Sequence, residues 1–242
     1  MKVHSFKLVL LSTLLGLSAC ANQPPTPDWL LHSEAALQQH ARWWLEGRDT
    51  LAEKQLNIAR EAVSRTGDAT QMGRVELHAC AVRLASLGPA GCPAFEPLAQ
   101  DADAAERAYA NYLAGQLTAV DVHLLPKMQR EVWQASDESS RRVLAAIPDP
   151  LSRLLAASVL LQSGRLSPNG ISIAIETAAQ QGWRRPLLAW LSLEKQRLEK
   201  LGELEAAVVV ERRIARVSRQ PRSNLTRESL VDPEPDLSIS AP

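Results

Sequence analysis

The sequence predicts an all-α protein in which antiparallel helix pairs stack as a short α-solenoid. Aromatic residues make up 4% of the 242 residues and glycine is scarce. Alanine, leucine, arginine, glutamate and glutamine, which favour helix, dominate the middle of the chain. No alternating β-branched run of strand length follows residue 20. Segments of about 14–18 residues with helical periodicity, separated by short turns, indicate helix pairs.

Residues 1–20 have the pattern of an export signal, with two lysines, an apolar core at Leu8–Leu17 and small residues before Cys20. Leu17-Ser18-Ala19-Cys20 resembles the lipobox of bacterial lipoproteins, in which the cysteine becomes the new N-terminus and carries the lipid. The resemblance implies lipid attachment at Cys20. A cleaved soluble signal and an uncleaved membrane helix are the alternatives, although a membrane span needs about 20 apolar residues.

The next segment, residues 21–32, is predicted to be a proline-rich tether. Its prolines disfavour helix and favour an extended chain, which would hold the folded body away from the bilayer. In lipoproteins of this type, an aspartate after the cysteine favours retention in the inner membrane. Ala21 occupies that position, so the resemblance implies anchoring to the outer membrane on its periplasmic side.

A helical repeat domain is predicted for residues 33–217. Ser33 is a suitable N-cap for a first helix that runs to about Gly47. Thr50 and Glu53 have the spacing of a capping box and are expected to open the second helix. The apolar stripe of that helix consists of Ala52, Leu56, Ala59 and Val63.

The third predicted helix, residues 69–87, is capped by Asp68 and is apolar on two sides. A helix of this kind packs between two neighbours. His78 falls beside one stripe and is interpreted as a packed, hydrogen-bonded histidine rather than a ligand. The two stripes are Met72, Val75, Ala79 and Val82, and Leu77, Cys80, Ala81, Leu84 and Leu87.

Later helices have clear start signals, and the one at residues 151–162 is apolar almost all round, which predicts a central position. Gly202 separates the last two helices, the second of which ends near Val217. Residues 218–242 alternate proline with polar residues and are predicted to be disordered. The start signals are Asp103 with Glu106, Thr118 with Asp121, Ser136, Asp149-Pro150, Ser167-Pro168 and Arg185-Pro186.

Small residues recur at regular spacings over residues 157–189, as Ala157, Leu160-Leu161, Gly164, Ala174, Ala178-Ala179, Gly182 and Ala189. This stretch resembles a Sel1-like repeat of the tetratricopeptide-type superfamily, and Pro186 departs from the family pattern. Residues 187–214 resemble a second, weaker unit. The resemblance implies a right-handed α-solenoid whose concave face binds other proteins. A generic helical bundle is the alternative.

Cys80 and Cys92 are predicted to form a structural disulfide. A periplasmic location is oxidising, and the Gly-Pro-rich segment between them can turn the chain back. A C-x-x-C redox motif is absent.

The sequence offers little for catalysis, so the protein is not expected to be an enzyme or to bind a cofactor. Its formal net charge is +0, which argues against nucleic-acid binding. No H-E-x-x-H, clustered Cys/His, G-x-S-x-G or phosphate-binding glycine loop occurs, which argues against a metal site or common nucleophilic chemistry. The pairs Glu138-Ser139 and Glu228-Ser229 lack the motif of wall-cleaving enzymes.

Trp43 and Trp44 are the candidate binding residues. Adjacent helical side chains point about 100° apart, so one tryptophan is expected to pack while the other can line a groove. The sequence therefore predicts a lipid-anchored envelope scaffold that binds a protein. A cell-wall-active enzyme, or a regulator of one, is the alternative, and a buried, desolvated carboxylate in a cleft would favour it.

Overall fold

The computed structural model describes residues 25–219, and within this range the chain forms eleven α-helices, one short 3₁₀ helix and no β-strand. The all-α class and the packing of successive helices in antiparallel pairs are thus confirmed. The signal segment with Cys20 and the tail beyond residue 219 lie outside the described residues, and their interpretation stays a prediction. The helices are α1 Asp28–Glu46, α2 Asp49–Ser64, α3 Ala69–Leu84, α4 Ala104–Ala114, α5 Ala119–Val122, α6 Lys127–Gln134, α7 Asp137–Ala146, α8 Pro150–Gln162, α9 Pro168–Gln180, α10 Arg184–Lys200 and α11 Leu204–Ser218, with the 3₁₀ helix at Glu96–Leu98.

The first helix begins at Asp28, so the predicted start at Ser33 is wrong, and the predicted tether at residues 21–32 extends too far. Pro27 precedes the helix with a φ of −58°, which suits a helix entry, and Asp28 places a negative charge in the first turn. Ser33 is buried within the helix. The predicted end is confirmed, because Gly47 closes α1 in the left-handed conformation with a φ of 86°.

The second helix also starts differently from the prediction. It begins at Asp49 without a side-chain cap, so the proposed Thr50–Glu53 capping box is wrong. Glu53 instead forms an ion pair with Arg60 at 3.1 Å. The predicted apolar stripe is confirmed, since Ala52, Leu56, Ala59 and Val63 are all buried.

Helix α3 lies between neighbours, as its two apolar stripes predict. It packs against α1 and α2 on one side and against α4 and α8 on the other. Asp68 caps it by accepting hydrogen bonds from the backbone N–H groups of Thr70 and Gln71, at 2.8 and 3.2 Å. Cys80 of this helix is joined to Cys92 as predicted, with 5.6 Å between their Cα atoms.

Helix α8 is the centre of the fold. Every residue from Leu154 to Leu160 is buried, and the helix contacts α3, α4, α6, α7 and α9. This position confirms the prediction from its apolar surface. The caps predicted for this half of the chain are also confirmed, because the side chains of Thr118, Ser136, Asp149 and Ser167 each accept a hydrogen bond from a backbone N–H three residues later.

The contacts between α8 and α9 depend on small side chains. Ala157, Ala174 and Ala178 have no exposed surface, so the helix axes can approach closely there. Gly164 and Gly182 each end a helix with a φ of 67°, a left-handed conformation that favours glycine. These are the positions at which the sequence predicts close packing and turns.

The two ends of the array meet, which a simple open solenoid does not predict. Helix α10 packs against α1. Arg185 donates a hydrogen bond from Nε to the carbonyl oxygen of Trp44 at 2.7 Å and forms an ion pair with Asp49. Trp190 is fully buried and donates from Nε1 to the carbonyl oxygen of Ala85 at 3.3 Å. In an open repeat array each unit contacts its neighbours, whereas here the penultimate helix contacts the first.

Candidate functional site

A cavity of about 400 Å³ opens between α3, α4 and α8, with the segment after α5 at its edge. This volume lies within the range of about 300–1,000 Å³ that is usual for ligand sites. We call this cavity the Glu106 pocket. It is lined by Arg74, Leu77, His78, Ala81, Val82, Ala105, Glu106, Tyr109, Leu124, Pro126, Leu151, Ser152 and Leu155.

The walls of the pocket are mainly apolar because it lies over the contact between three buried helices. Leu77 comes from α3 and Leu155 from α8, and both are buried in the main core. Leu124, at the edge of the pocket, is 43% exposed. An aliphatic surface that is only partly covered can therefore be reached from solvent at this point.

The polar part of the pocket is an ion pair between α3 and α4. Nε of Arg74 donates to Oε1 of Glu106 at 2.7 Å. The two side chains differ in exposure, since that of Arg74 is 55% exposed and that of Glu106 only 9%. The second carboxylate oxygen, Oε2, is buried and has no hydrogen-bond partner among the described residues. Glu106 thus has an acceptor atom that no described residue uses and that solvent does not reach.

Tyr109 borders the pocket next to Glu106 and stacks on Tyr112, with 5.9 Å between ring centroids. Burial raises the pKa of Tyr109 to about 12. The phenol is therefore protonated at neutral pH and can donate a hydrogen bond, but it is not a base there.

His78 joins the pocket to the first helix. Its Nε2 lies 3.1 Å from the carbonyl oxygen of Leu37, and its ring centroid is 6.0 Å from that of His40. Burial, and secondarily His40, lower the pKa of His78 to about 4. A neutral ring that donates from Nε2 fits this contact. The predicted role of a packed, hydrogen-bonded histidine is confirmed, while its position beside a pocket was not predicted.

His40 is fixed in a similar way. Its Nδ1 lies 3.0 Å from the carbonyl oxygen of Ala52, and Nε2 is buried without a partner within residues 25–219. Burial lowers the pKa of His40 as well. The two histidines therefore bind α1 to α2 and α3 in their neutral forms.

The predicted binding residues Trp43 and Trp44 do not line the Glu106 pocket. Trp44 packs in the small core of α1 and α3, and the guanidinium of Arg185 lies 4.1 Å from its ring centroid. Trp43 is partly buried between the guanidinium groups of Arg42 and Arg48, at 4.8 and 5.0 Å. Both tryptophans are thus partly buried, and Trp44 packs against a core cluster, in line with the prediction that one of the two packs.

Arg74 and Glu106 are the pocket residues that the sequence interpretation missed. They are 32 residues apart, and the sequence pattern predicts Glu106 only as the partner of Asp103 at the start of α4. Asp103 makes no side-chain capping bond. A usable signal was the spacing of Glu106 with the apolar residues Tyr109 and Leu113, because an acidic residue on a buried stripe needs a partner.

No protein-family model, curated protein or solved structure matches the chain. Within residues 25–219, no helix combines the length and apolar character that a membrane span requires. The same residues contain no group of three or more side chains suited to holding a metal ion.

Proposed function

We propose that the protein is a lipid-anchored scaffold of the bacterial envelope that binds another protein through its helical-repeat surface. The observation that carries the proposal is the Glu106 pocket, an accessible apolar cavity built where three helices meet. Lipid attachment at Cys20 would hold this surface at the periplasmic side of the outer membrane. The proposal includes no enzymatic activity and no cofactor.

The pocket has the chemistry of a binding surface. Protein interfaces bury an apolar centre and surround it with polar groups that fix orientation. Leu77 and Leu155 form part of the apolar wall of the pocket. The Arg74–Glu106 ion pair provides polar groups at one side. The size of the cavity suits one or two side chains of a partner segment.

The alternative, a wall-active enzyme, gains one supporting observation in the buried carboxylate of Glu106. Glycan-cleaving enzymes use two carboxylates on either side of the scissile bond, and the acid stands in an apolar environment. Glu106 is the single carboxylate among the pocket-lining residues. It is also engaged by a guanidinium at 2.7 Å. These features favour binding over glycan cleavage.

Site-specific photo-crosslinking in intact Gram-negative cells tests the protein-binding part. A photoreactive phenylalanine at Leu124 is expected to crosslink one partner protein. The matched control places the same photoreactive phenylalanine at Val120, which is 75% exposed but does not line the pocket. Crosslinking at Val120 and not at Leu124, or at neither, would contradict a protein-binding role for the pocket.

Cys20→Ser tests the anchoring part. The thiol at the predicted cleavage point is the acceptor for the lipid, so the variant should lose metabolic palmitate labelling. It should also appear in the soluble fraction or accumulate uncleaved. A variant that is still labelled and fractionates with the outer membrane would refute lipid attachment at Cys20.

A further inference from the structure

The closure of the array gathers arginine side chains at one end of the molecule. Arg184, in the first turn of α10, donates from Nε to the carbonyl oxygen of Val217 at 3.2 Å and from Nη2 to that of Ser218 at 3.0 Å. The next residue, Arg185, donates to the carbonyl oxygen of Trp44 near the end of α1. The last turns of α1 and α11 therefore meet the first turn of α10. We call this region the closure corner. Its arginines are Arg42, Arg48, Arg184, Arg185, Arg216 and Arg219.

Few carboxylates balance the charge of these arginines. Glu46 is shared by Arg42 and Arg48, at 3.2 and 3.4 Å, and Asp49 forms an ion pair with Arg185. The other arginines of the corner form no ion pair within residues 25–219. Although the formal net charge of the whole chain is +0, this end of the molecule is therefore positive and would attract an anionic surface.

Most of these cations can be reached from solvent. Arg216 and Arg219 are exposed, and the side chains of Arg42 and Arg48 are 59% and 58% exposed. Asp149, at the start of α8, uses its carboxylate to cap that helix, and its single charge would not cancel the excess. A guanidinium can form two parallel hydrogen bonds to one phosphate group. The corner therefore offers several phosphate-binding side chains together.

Trp43 adds an aromatic ring to the corner. The ring is partly buried, and the guanidinium groups of Arg42 and Arg48 lie 4.8 and 5.0 Å from its centroid. Tryptophan has an apolar body and a polar N–H, which suits the boundary between water and lipid. Protein surfaces that lie on a bilayer combine tryptophan with basic residues in this way. The combination favours a lipid surface over an acidic protein, which would need the charges alone.

We infer that the closure corner contacts an anionic phospholipid surface, with its arginines on the phosphate groups and Trp43 in the headgroup region. The inference rests on the proposed function, because the lipid at Cys20 would bring the corner to a bilayer. A lipid anchor and a basic patch are complementary signals for membrane binding.

The two membrane contacts would lie at opposite ends of α1. The chain enters this helix at Asp28, and the corner lies at its last turns, so that 19 residues, or about 28 Å, separate the two ends. Residues 21–27 can span at most about 25 Å. The anchor and the corner together would therefore hold α1 along the bilayer rather than perpendicular to it.

Vesicle binding by a chain without the lipid tests this inference. The Cys20→Ser chain without its signal segment, residues 20–242, retains every residue that the structure describes. It is mixed with vesicles of phosphatidylcholine alone, or of phosphatidylcholine and phosphatidylglycerol at about 2:1. Sedimentation should show at least about tenfold tighter binding to the anionic vesicles at low salt. Added salt should weaken this binding because it screens the charges.

Paired substitutions locate the contact. Arg216→Gln with Arg219→Gln should weaken binding to the anionic vesicles about tenfold or more. Arg216→Lys with Arg219→Lys keeps both charges and should retain binding. The matched control, Arg141→Gln with Arg142→Gln, removes the same charge from exposed positions of α7, which packs against α6, α8 and α9. It should change the affinity by less than about twofold.

Tryptophan fluorescence reports the position of the ring. Brominated phosphatidylcholine in the anionic vesicles should quench part of the emission of the bound protein. Trp43→Phe keeps an aromatic ring at this position and should remove most of that quenching. Trp133→Phe, on α6, is the control and should leave the quenching unchanged.

Four results would overturn the inference. They are no binding to anionic vesicles, equal affinity for both kinds of vesicle, an equal loss in the α7 control, and unchanged quenching in Trp43→Phe. A photoreactive phenylalanine at Trp43 that crosslinks a protein in cells, together with no vesicle binding, would assign the corner to an acidic protein instead.

These results are independent of the tests of the proposed function. Failure of vesicle binding leaves palmitate labelling at Cys20 and crosslinking at Leu124 as they are. Conversely, loss of the label or of the crosslink would remove the proposed function without changing how the lipid-free chain binds vesicles. The two failures are therefore distinguishable.

Discussion

Apolar surface is exposed in several parts of residues 25–219, and two of these parts are very different. The Glu106 pocket is concave, lies between buried helices and includes a charged pair. At the C-terminal edge of the array, Leu201, Leu204 and Val208 are 61%, 63% and 50% exposed. We call these three residues the C-terminal stripe, and their spacing places Leu204 and Val208 on one face of α11. Apolar exposure at the end of an array can reflect a missing neighbour, whereas the exposure inside the pocket is the observation on which the proposed binding role rests.

The two regions also differ in how firmly they are held. The pocket wall formed by α3 carries Cys80, which is tied to Cys92, and His78, which is bonded to α1. Helix α11 has a single buried residue, Ala207. Substitutions and acid should therefore affect the pocket side strongly and the C-terminal edge weakly.

Removal of the disulfide should have the largest effect on stability. Cys80→Ala loses a crosslink with a sequence separation of 12, which contributes about 3 kcal/mol in the chain-entropy model, and a buried core group worth about 1 kcal/mol more. Urea unfolding of oxidised protein measures the loss. Cys92→Ala is the control, because it removes the same crosslink from the other end. Alkylatable thiols at both positions in periplasmic protein would contradict the disulfide.

The second-largest effect on stability is expected from acid, which should destabilise the pocket side. The pKa of His78 falls from its ordinary value of 6.5 to about 4 in the folded protein, so between these pH values the unfolded chain binds more protons. The free energy of unfolding should therefore decrease as the pH falls from 6.5 to 4, by at most about 3 kcal/mol, and this contribution should not decrease further below pH 4. His40, whose pKa is also lowered, acts in the same direction.

Urea unfolding over a pH series measures this dependence. His78→Gln can keep the hydrogen bond to Leu37 without a titrating group and should reduce the slope, with the remainder due to groups such as His40. His32→Gln is the control, because His32 is exposed. An unchanged slope in His78→Gln would show that the acid sensitivity comes from other groups.

Overpacking between α9 and its neighbours should have a moderate effect. Ala178 has no exposed surface, so Ala178→Leu should cost about 1–3 kcal/mol. Gln180→Leu, at an exposed position of the same helix, is the control and should be nearly neutral.

Hydrogen exchange on the Ala178→Leu variant locates the damage. If the helix pairs behave as repeats, protection should fall over residues 150–217 more than over residues 33–87. An equal loss in both parts would mean that the contact between α10 and α1 makes the protein one cooperative bundle.

The smallest effects on stability are expected from the exposed leucines, where the same change compares the two surfaces directly. Leu124→Ser in the pocket and Leu204→Ser in the C-terminal stripe should each change the free energy of unfolding by less than about 0.5 kcal/mol. Only Leu124→Ser should weaken binding of the proposed partner protein. If Leu204→Ser instead weakened binding of the partner, or abolished association between copies of the protein, the functional surface would have to be assigned to the C-terminal stripe.

Much of the fold could be predicted from local patterns. Asp68, Asp149 and Ser167 begin helices as predicted, because a cap is a local hydrogen bond between neighbouring residues. The central position of α8 follows from its apolar surface. The helix start that was wrongly predicted at Ser33 shows the limit of this approach, since a serine can also be a buried residue inside a helix.

The candidate site was less accessible to prediction. Arg74 and Glu106 meet because α3 and α4 pack together. No sequence motif around either residue indicates that the other is its partner. The packing of the Arg185 guanidinium over the ring of Trp44, at 4.1 Å from the ring centroid, was likewise not predicted from the sequence. Contacts between residues far apart in sequence depend on how helices are arranged, which periodicity does not specify.

The contact between α10 and α1 also limits how this architecture can evolve. Open repeat proteins lengthen by duplicating a unit, since each new unit docks on the previous one. Here an inserted helix pair would move Arg185 away from Trp44 and Asp49 and expose Trp190, which is now fully buried. The number of helix pairs is therefore fixed by the closure, and new specificities would arise by substitution within the existing pockets rather than by growth of the array.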